Sequence, residues 1–123
     1  METKLVFAFE ELKVYERALS FCVRVISVVD KIETPRKHFR LIEQLEASST
    51  SIALNISEGK GRFSKKEFKQ FLYIARGSLY ETVTMLQIFR AKSWLGEGEY
   101  VELYAEAEEI NRMISGLINS LKV

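Results

Sequence analysis

The chain has 123 residues, of which 47% are hydrophobic and 28% charged, and it carries a net charge of +1. This length and composition predict a single globular domain over residues 1–123, and they exclude disordered, collagen-like and disulfide-stabilised chains. No apolar run approaches the roughly 20 residues of a membrane span, and no secretion signal is recognisable, so we expect a cytoplasmic protein without a membrane partner.

The first two predicted helices precede residue 60. Apolar residues recur at steps of three and four from Leu12 to Val29, with a second stripe beside them, and this pattern predicts a helix that ends before Thr34-Pro35. A second helix is predicted to begin near Arg36 and to end at Glu58, before a turn at residues 59–63.

Two more helices are predicted in the second half of the chain. Ser64 and Glu67 form a Ser-x-x-Glu capping box, from which a third helix runs to about Lys92 with two apolar stripes. A fourth helix follows the turn at residues 94–98 and carries a heptad seam from Leu103 to Leu121. Four helices of roughly 22–29 residues with short loops predict an all-α, antiparallel up-down-up-down four-helix bundle. Helices one and three each carry a second apolar stripe, which is more apolar surface than the core of one bundle can bury. This pattern indicates a subunit contact.

Helix two also carries an unbroken row of polar residues. Glu81 interrupts an apolar stripe on helix three, and a carboxylate there must be paired or solvated. We expect it to accept hydrogen bonds from Ser51 and Asn55, as a structural polar network between the two helices. A ligand or acid–base site at these residues is the less favoured interpretation.

Residues that could support catalysis are scarce. The chain has one histidine, one cysteine and one aspartate, and Pro35 stands where a Glu-x-x-His metal motif would need a glutamate before His38. We therefore expect no catalytic residue, no metal and no cofactor.

Charge is distributed unevenly along the chain. Residues 34–95 contain eleven Lys or Arg against five Glu, whereas the rest contains seven against twelve acidic residues. The densest basic stretch is the candidate nucleic-acid-binding set Lys60, Arg62, Lys65, Lys66 and Lys69. It could contact phosphates with Phe63 available for stacking, or face the glutamates of helix four in a neighbouring subunit, or simply be solvated.

Several segments resemble one known family. Gln44-Leu45 and residues 51–59 resemble a signature of the bacterial four-helix-bundle proteins, also called the 23S rRNA intervening-sequence protein family. Residues 64–68 and 71–82 are similar to its second signature, and residues 9–15 to its opening, although Glu46 stands where many members carry a basic residue. The resemblance implies a four-helix bundle assembled as a homo-oligomer, commonly a pentamer. It provides no catalytic residue to carry over.

The resemblance also bears on function, because related accessory proteins of diversity-generating retroelements act as pentameric adaptors for nucleic acid and reverse transcriptase. We therefore expect a non-enzymatic oligomeric adaptor that binds RNA, DNA or a nucleoprotein. The alternative is a scaffold that binds only protein partners. A third, least favoured, hypothesis is a small-molecule enzyme using Glu81, Asn55 and Glu58.

Overall fold

The computed structural model describes residues 4, 6–33 and 38–122. A short 3-10 helix at Ala8–Glu11 precedes four α-helices, which are α1 (Lys13–Val29), α2 (Phe39–Lys60), α3 (Lys65–Ala91) and α4 (Glu97–Ser120). All regular secondary structure in the described ranges is helical. The predicted all-α bundle is confirmed.

Contacts between side chains define how the helices run. Ser51 of α2 meets Ser78 of α3, and Ser48 meets Thr82, so the two helices are antiparallel. Arg17 of α1 pairs with Glu109 of α4, and Arg24 pairs with Glu102, so α1 and α4 are also antiparallel. The most extensive contact joins α2 and α3, which are connected by the shortest turn of the bundle.

On α3 and α4 the core lies along the apolar seams predicted from helical periodicity, whereas on α1 the second predicted stripe is the buried one and Leu19 of the first is 46% exposed. The first stripe of α3, from Phe68 to Phe89, is buried over its whole length. On α4 the buried seam continues from Ile114 to Ile118, while Leu117 is only partly buried. The second stripe of α3 is less covered, since Ile74 and Ile88 remain exposed at 53% and 42%.

The boundaries of the first two helices differ from the sequence-based expectation. The predicted end of helix one at Thr34-Pro35 and the start of helix two near Arg36 lie outside the described residues, and α1 has 17 residues rather than the 22 or more expected. Helix α2 does not stop before Gly59 but continues to Lys60. Gly59 is buried, because its missing side chain lets α2 approach α3 closely.

Both ends of α3 have defined caps. The Ser64 hydroxyl accepts a hydrogen bond from the Glu67 backbone N–H at 3.1 Å, which confirms the predicted start. At the other end Ser93 adopts a left-handed conformation with φ of 62°. The N–H groups of Trp94 and Ser93 bond to the carbonyls of Phe89 and Arg90, which is the Schellman arrangement.

Candidate nucleic-acid interface

The predicted basic residues come together at the end of the bundle where α2 turns into α3. Just before this turn, Gly59 lets α2 lie close against α3, because an added Cβ would lie 2.5 Å from the Cβ of Phe71. The backbone N–H of Gly61 bonds to the carbonyls of Ser57 and Glu58, and that of Arg62 to the carbonyl of Gly59. The turn is therefore ordered by its own backbone. We call this surface, formed by Lys60, Arg62, Phe63, Lys65, Lys66 and Lys69, the basic end.

Two of the cations are held in place by neighbouring side chains. The Arg62 guanidinium lies 4.7 Å from the ring centroid of Phe71 and bonds to the Glu58 carboxylate at 2.9 Å. The ammonium of Lys60 lies 5.6 Å from the ring centroid of Phe68. Such cation–aromatic contacts stabilise by roughly 0.5–1 kcal/mol at exposed sites. Arg62 and Lys60 are therefore oriented by the same rings that pack α3 against α2.

Lys65 and Lys66 differ from these two in having no such neighbours. Both are exposed in the first turn of α3, and within the described ranges neither forms a salt bridge or a cation–aromatic contact. The N-terminal end of a helix carries partial positive charge, so lysines there are unfavourable until an anion binds. Lys69 follows one turn later and is partly buried. A phosphate at this place would relieve the repulsion.

Aromatic side chains flank the cations. Phe63 is fully exposed, at 103% of the reference exposure, between Arg62 and the start of α3. A cleft of about 430 Å³, which Arg62 also lines, separates the end of α2 from the segment around the 3-10 helix. Phe7 and Phe9 line this cleft with their rings stacked at 5.7 Å. Phe7 and Phe9 were not predicted to belong to the site, although two phenylalanines separated by a single residue were a signal in the sequence.

The polar row between α2 and α3 forms only in part as predicted. The Asn55 amide donates to the Ser51 hydroxyl at 2.9 Å, and Ser51 in turn bonds to the Ser78 hydroxyl at 2.9 Å. The expectation that Glu81 completes this network is wrong: its side chain is exposed and bonds to none of the described residues. Three residues correspond to about 300° of rotation, so Glu81 is turned roughly 60° away from Ser78.

The glutamates of helix four have partners within the chain. Arg24 of α1 pairs with both Glu102 and Glu106, and Arg17 pairs with Glu109. The hypothesis that these glutamates face the basic stretch of a neighbouring subunit therefore loses its main support, because three of them already pair with two arginines of α1. Lys65 and Lys66 remain without such partners in the described part of the chain.

A second cavity lies between α3 and α4. It has a volume of about 450 Å³, and Tyr80, Tyr104 and Asn111 are among the residues that line it. The buried side-chain oxygen of Asn111 has no hydrogen-bond partner among the described residues.

The described residues contain no cluster of three potential metal-ligating side chains. None of the described helices is long and apolar enough to cross a bilayer.

Comparison with known proteins identifies relatives of the whole bundle. A family model described as 23S rRNA-intervening sequence protein matches residues 10–116. A crystal structure of a protein of unknown function from the S23 ribosomal protein family of Bacteroides thetaiotaomicron is similar, with a TM-score of 0.81 and 26% identity. The match covers 87% of this chain and 99% of that one. No curated protein matches significantly.

Proposed function

The chain belongs to the 23S rRNA-intervening sequence protein family, and we propose that it is a non-enzymatic adaptor that binds nucleic acid, or a nucleoprotein, through the basic end. The observation that carries this proposal is the pair Lys65 and Lys66. They lie exposed at the positive end of α3, beside Lys60 and Arg62, which aromatic rings already orient. Lysine and arginine side chains bind the phosphates of the nucleic-acid backbone, which are the same in every sequence. We therefore expect affinity for RNA and DNA with little sequence preference.

Charge balance at the basic end supports binding to an anion. Residues 57–69 contain five cations and two carboxylates. Of the two carboxylates, Glu58 is bonded to Arg62 and Glu67 accepts the Ser64 hydroxyl at 3.2 Å. Neither is bonded to a lysine, so the segment keeps an excess of three positive charges and its lysines are free to bind an anion.

We propose further that the adaptor is a cytoplasmic homo-oligomer, a pentamer by the resemblance of its sequence. Leu54, Ile74 and Ile88 are exposed by 60%, 53% and 42% on the antiparallel pair α2 and α3. Each is already about half covered, so burying the remainder against a second subunit would contribute about half of the roughly 1.5–3 kcal/mol that complete burial of such a side chain provides. A ring would also repeat the basic end around its axis and strengthen the positive potential.

The same apolar side chains favour a second candidate function, a scaffold that binds protein partners only. Exposed apolar residues grouped on neighbouring helices are typical of protein contacts, and these three lie on the adjacent helices α2 and α3. An enzyme built on Glu81, Asn55 and Glu58 is not proposed. Glu58 is bonded to Arg62, Asn55 to Ser51, and Glu81 points to solvent, so the three groups do not converge on a common point.

The experiment is a titration of labelled RNA and DNA at several salt concentrations, with wild type and with Lys65→Glu/Lys66→Glu. We expect the double variant to weaken binding and to reduce the slope of log K against log salt by about 0.7–0.9 for each phosphate that the lysines no longer neutralise. Lys31→Glu/Lys92→Glu is the matched control, since it makes the same charge change at exposed positions beyond the far ends of α1 and α3. Absence of binding at low salt, or equal effects of both double variants, would refute the proposal in favour of the scaffold.

Light scattering after gel filtration tests the assembly. The expected mass is several times the 14.2 kDa of the chain. A monomer at micromolar concentration would contradict the oligomer and leave the titration as the test of the basic end alone.

A further inference from the structure

Phe63 has a position that the packing of the bundle does not explain. Its ring is fully exposed, so it forgoes the stabilisation that burial of a phenylalanine provides. The backbone around it is nevertheless ordered, by the bonds of Gly61 and Arg62 to the end of α2 on one side and by the Ser64 cap on the other. The backbone at Phe63 would therefore lose little conformational entropy when a partner stacks on its ring.

The surroundings of Phe63 distinguish between kinds of partner. Protein interfaces anchored by aromatic residues are depleted of lysine. Phe63 is instead flanked by Arg62 and, two and three positions later, by Lys65 and Lys66. An aromatic face beside cations is the combination that binds a base and its neighbouring phosphates.

We propose that the basic end binds unpaired nucleotides, with a base stacked on Phe63 and the adjoining phosphates at Lys65 and Lys66. This inference rests on the proposed function and specifies the form of nucleic acid. In a duplex each base is already stacked on its neighbours, so the ring of Phe63 can reach only a terminal pair. In a single strand, a loop or a bulge, a base is free to turn onto the ring.

Arg62 also borders a second aromatic surface. Phe7 is 63% exposed and lines the cleft that Lys60 and Arg62 also border. The guanidinium of Arg62 is kept beside this cleft by Phe71 and Glu58. The basic end thus offers two exposed phenylalanines: Phe63, next to Arg62 in the chain, and Phe7, in the cleft that Arg62 also lines.

The test compares four probes of about 12 nucleotides, within the site sizes typical of single-strand binding proteins. They are a uridine RNA strand, an RNA duplex, a thymidine DNA strand and a DNA strand of the same length without bases. Anisotropy titrations use wild type, Phe63→Ala, Phe63→Trp and Phe39→Ala. Phe39 is the matched control because it is another exposed phenylalanine, at the opposite end of α2 and so roughly 30 Å from the turn.

We expect wild type to bind the two base-bearing strands more tightly than the duplex or the strand without bases. Phe63→Ala should lower affinity for the base-bearing strands by about 5-fold or more, since stacking of one base on an aromatic ring has at least this effect. Phe63→Trp should retain the affinity, and Phe39→Ala should have no effect. The salt slope should be unchanged in Phe63→Ala, because the phosphate contacts remain.

The outcomes separate this inference from the proposed function. One combination of results refutes stacking but leaves phosphate binding in place. In that combination all four probes bind alike, Phe63→Ala has no effect, and Lys65→Glu/Lys66→Glu still abolishes binding. If no probe binds at low salt, the proposed function fails and the inference fails with it. If Phe63→Ala weakens all four probes equally, the ring supports the turn rather than a base, and the inference is again refuted.

Discussion

The close approach of α2 to α3 at Gly59 can be tested by a single added methyl group. Replacing glycine by alanine inside a helix normally stabilises it by about 0.8–1.0 kcal/mol, because alanine restricts the unfolded backbone. At Gly59 the new Cβ would lie 2.5 Å from the Cβ of Phe71 and 3.1 Å from the Cδ1 of Phe68. The Phe71 Cβ is fixed to the backbone of α3 and cannot rotate away, so one helix must move.

The magnitude follows from two opposing terms. Forcing an extra methyl group into a packed contact costs about 1–3 kcal/mol. The gain in helix propensity is smaller than usual at Gly59, because it is the last residue but one of α2. We therefore expect Gly59→Ala to destabilise the protein by about 1–2 kcal/mol. Gly77→Ala is the matched control, since Gly77 lies in the middle of α3 and a Cβ there meets no described atom within 4 Å.

Thermal unfolding followed by circular dichroism measures both variants. For a chain of this size 1 kcal/mol corresponds to a shift of roughly 3–5 °C in Tm. Gly59→Ala should lower the Tm, Gly77→Ala should raise it, and the two should differ by about 5 °C or more. An increase in Tm for Gly59→Ala as large as that for Gly77→Ala would show that the tight contact does not exist.

Three further stability predictions concern α3 and its C-terminal cap. Ser93→Gly should raise the free energy of unfolding by about 1 kcal/mol, because only glycine adopts a left-handed conformation without steric cost; an unchanged Tm would contradict the assigned cap. Glu81→Ala should change stability by less than about 0.5 kcal/mol, since its side chain is solvated. Ser78→Ala should cost about 1 kcal/mol by removing the partner of Ser51, and a larger destabilisation by Glu81→Ala than by Ser78→Ala in urea unfolding would reverse the assignment.

The bundle could be predicted from sequence because its signals are local and redundant. Each helix repeats apolar residues at steps of three and four over several turns, so an error at one residue does not change the assignment. The end of α2 could not be predicted in this way. Gly59 has the local appearance of a helix terminator, and only the position of Phe71 on the facing helix shows that the glycine is needed inside the contact.

The candidate site was also predictable only where it depends on residues that are close in the sequence. Clustering of the basic residues was predictable, because residues 60–69 are adjacent in the chain and a turn keeps them together. Contacts over longer distances were not. A rotation of about 60° decides that Ser78, and not Glu81, meets Ser51. The pairing of Arg24 with Glu102 and Glu106 likewise depends on which face of α1 lies against α4.

The basic end is tied to the packing of the bundle, and this determines which substitutions can isolate its function. Phe68 and Phe71 contact Gly59 in the α2–α3 interface and at the same time lie under Lys60 and Arg62. Changes at these rings would alter stability and charge placement together, so weaker binding would have two explanations. Lys65, Lys66 and Phe63 are exposed and contribute little to the core. Weaker binding by their variants, at an unchanged Tm, can therefore be attributed to the surface itself.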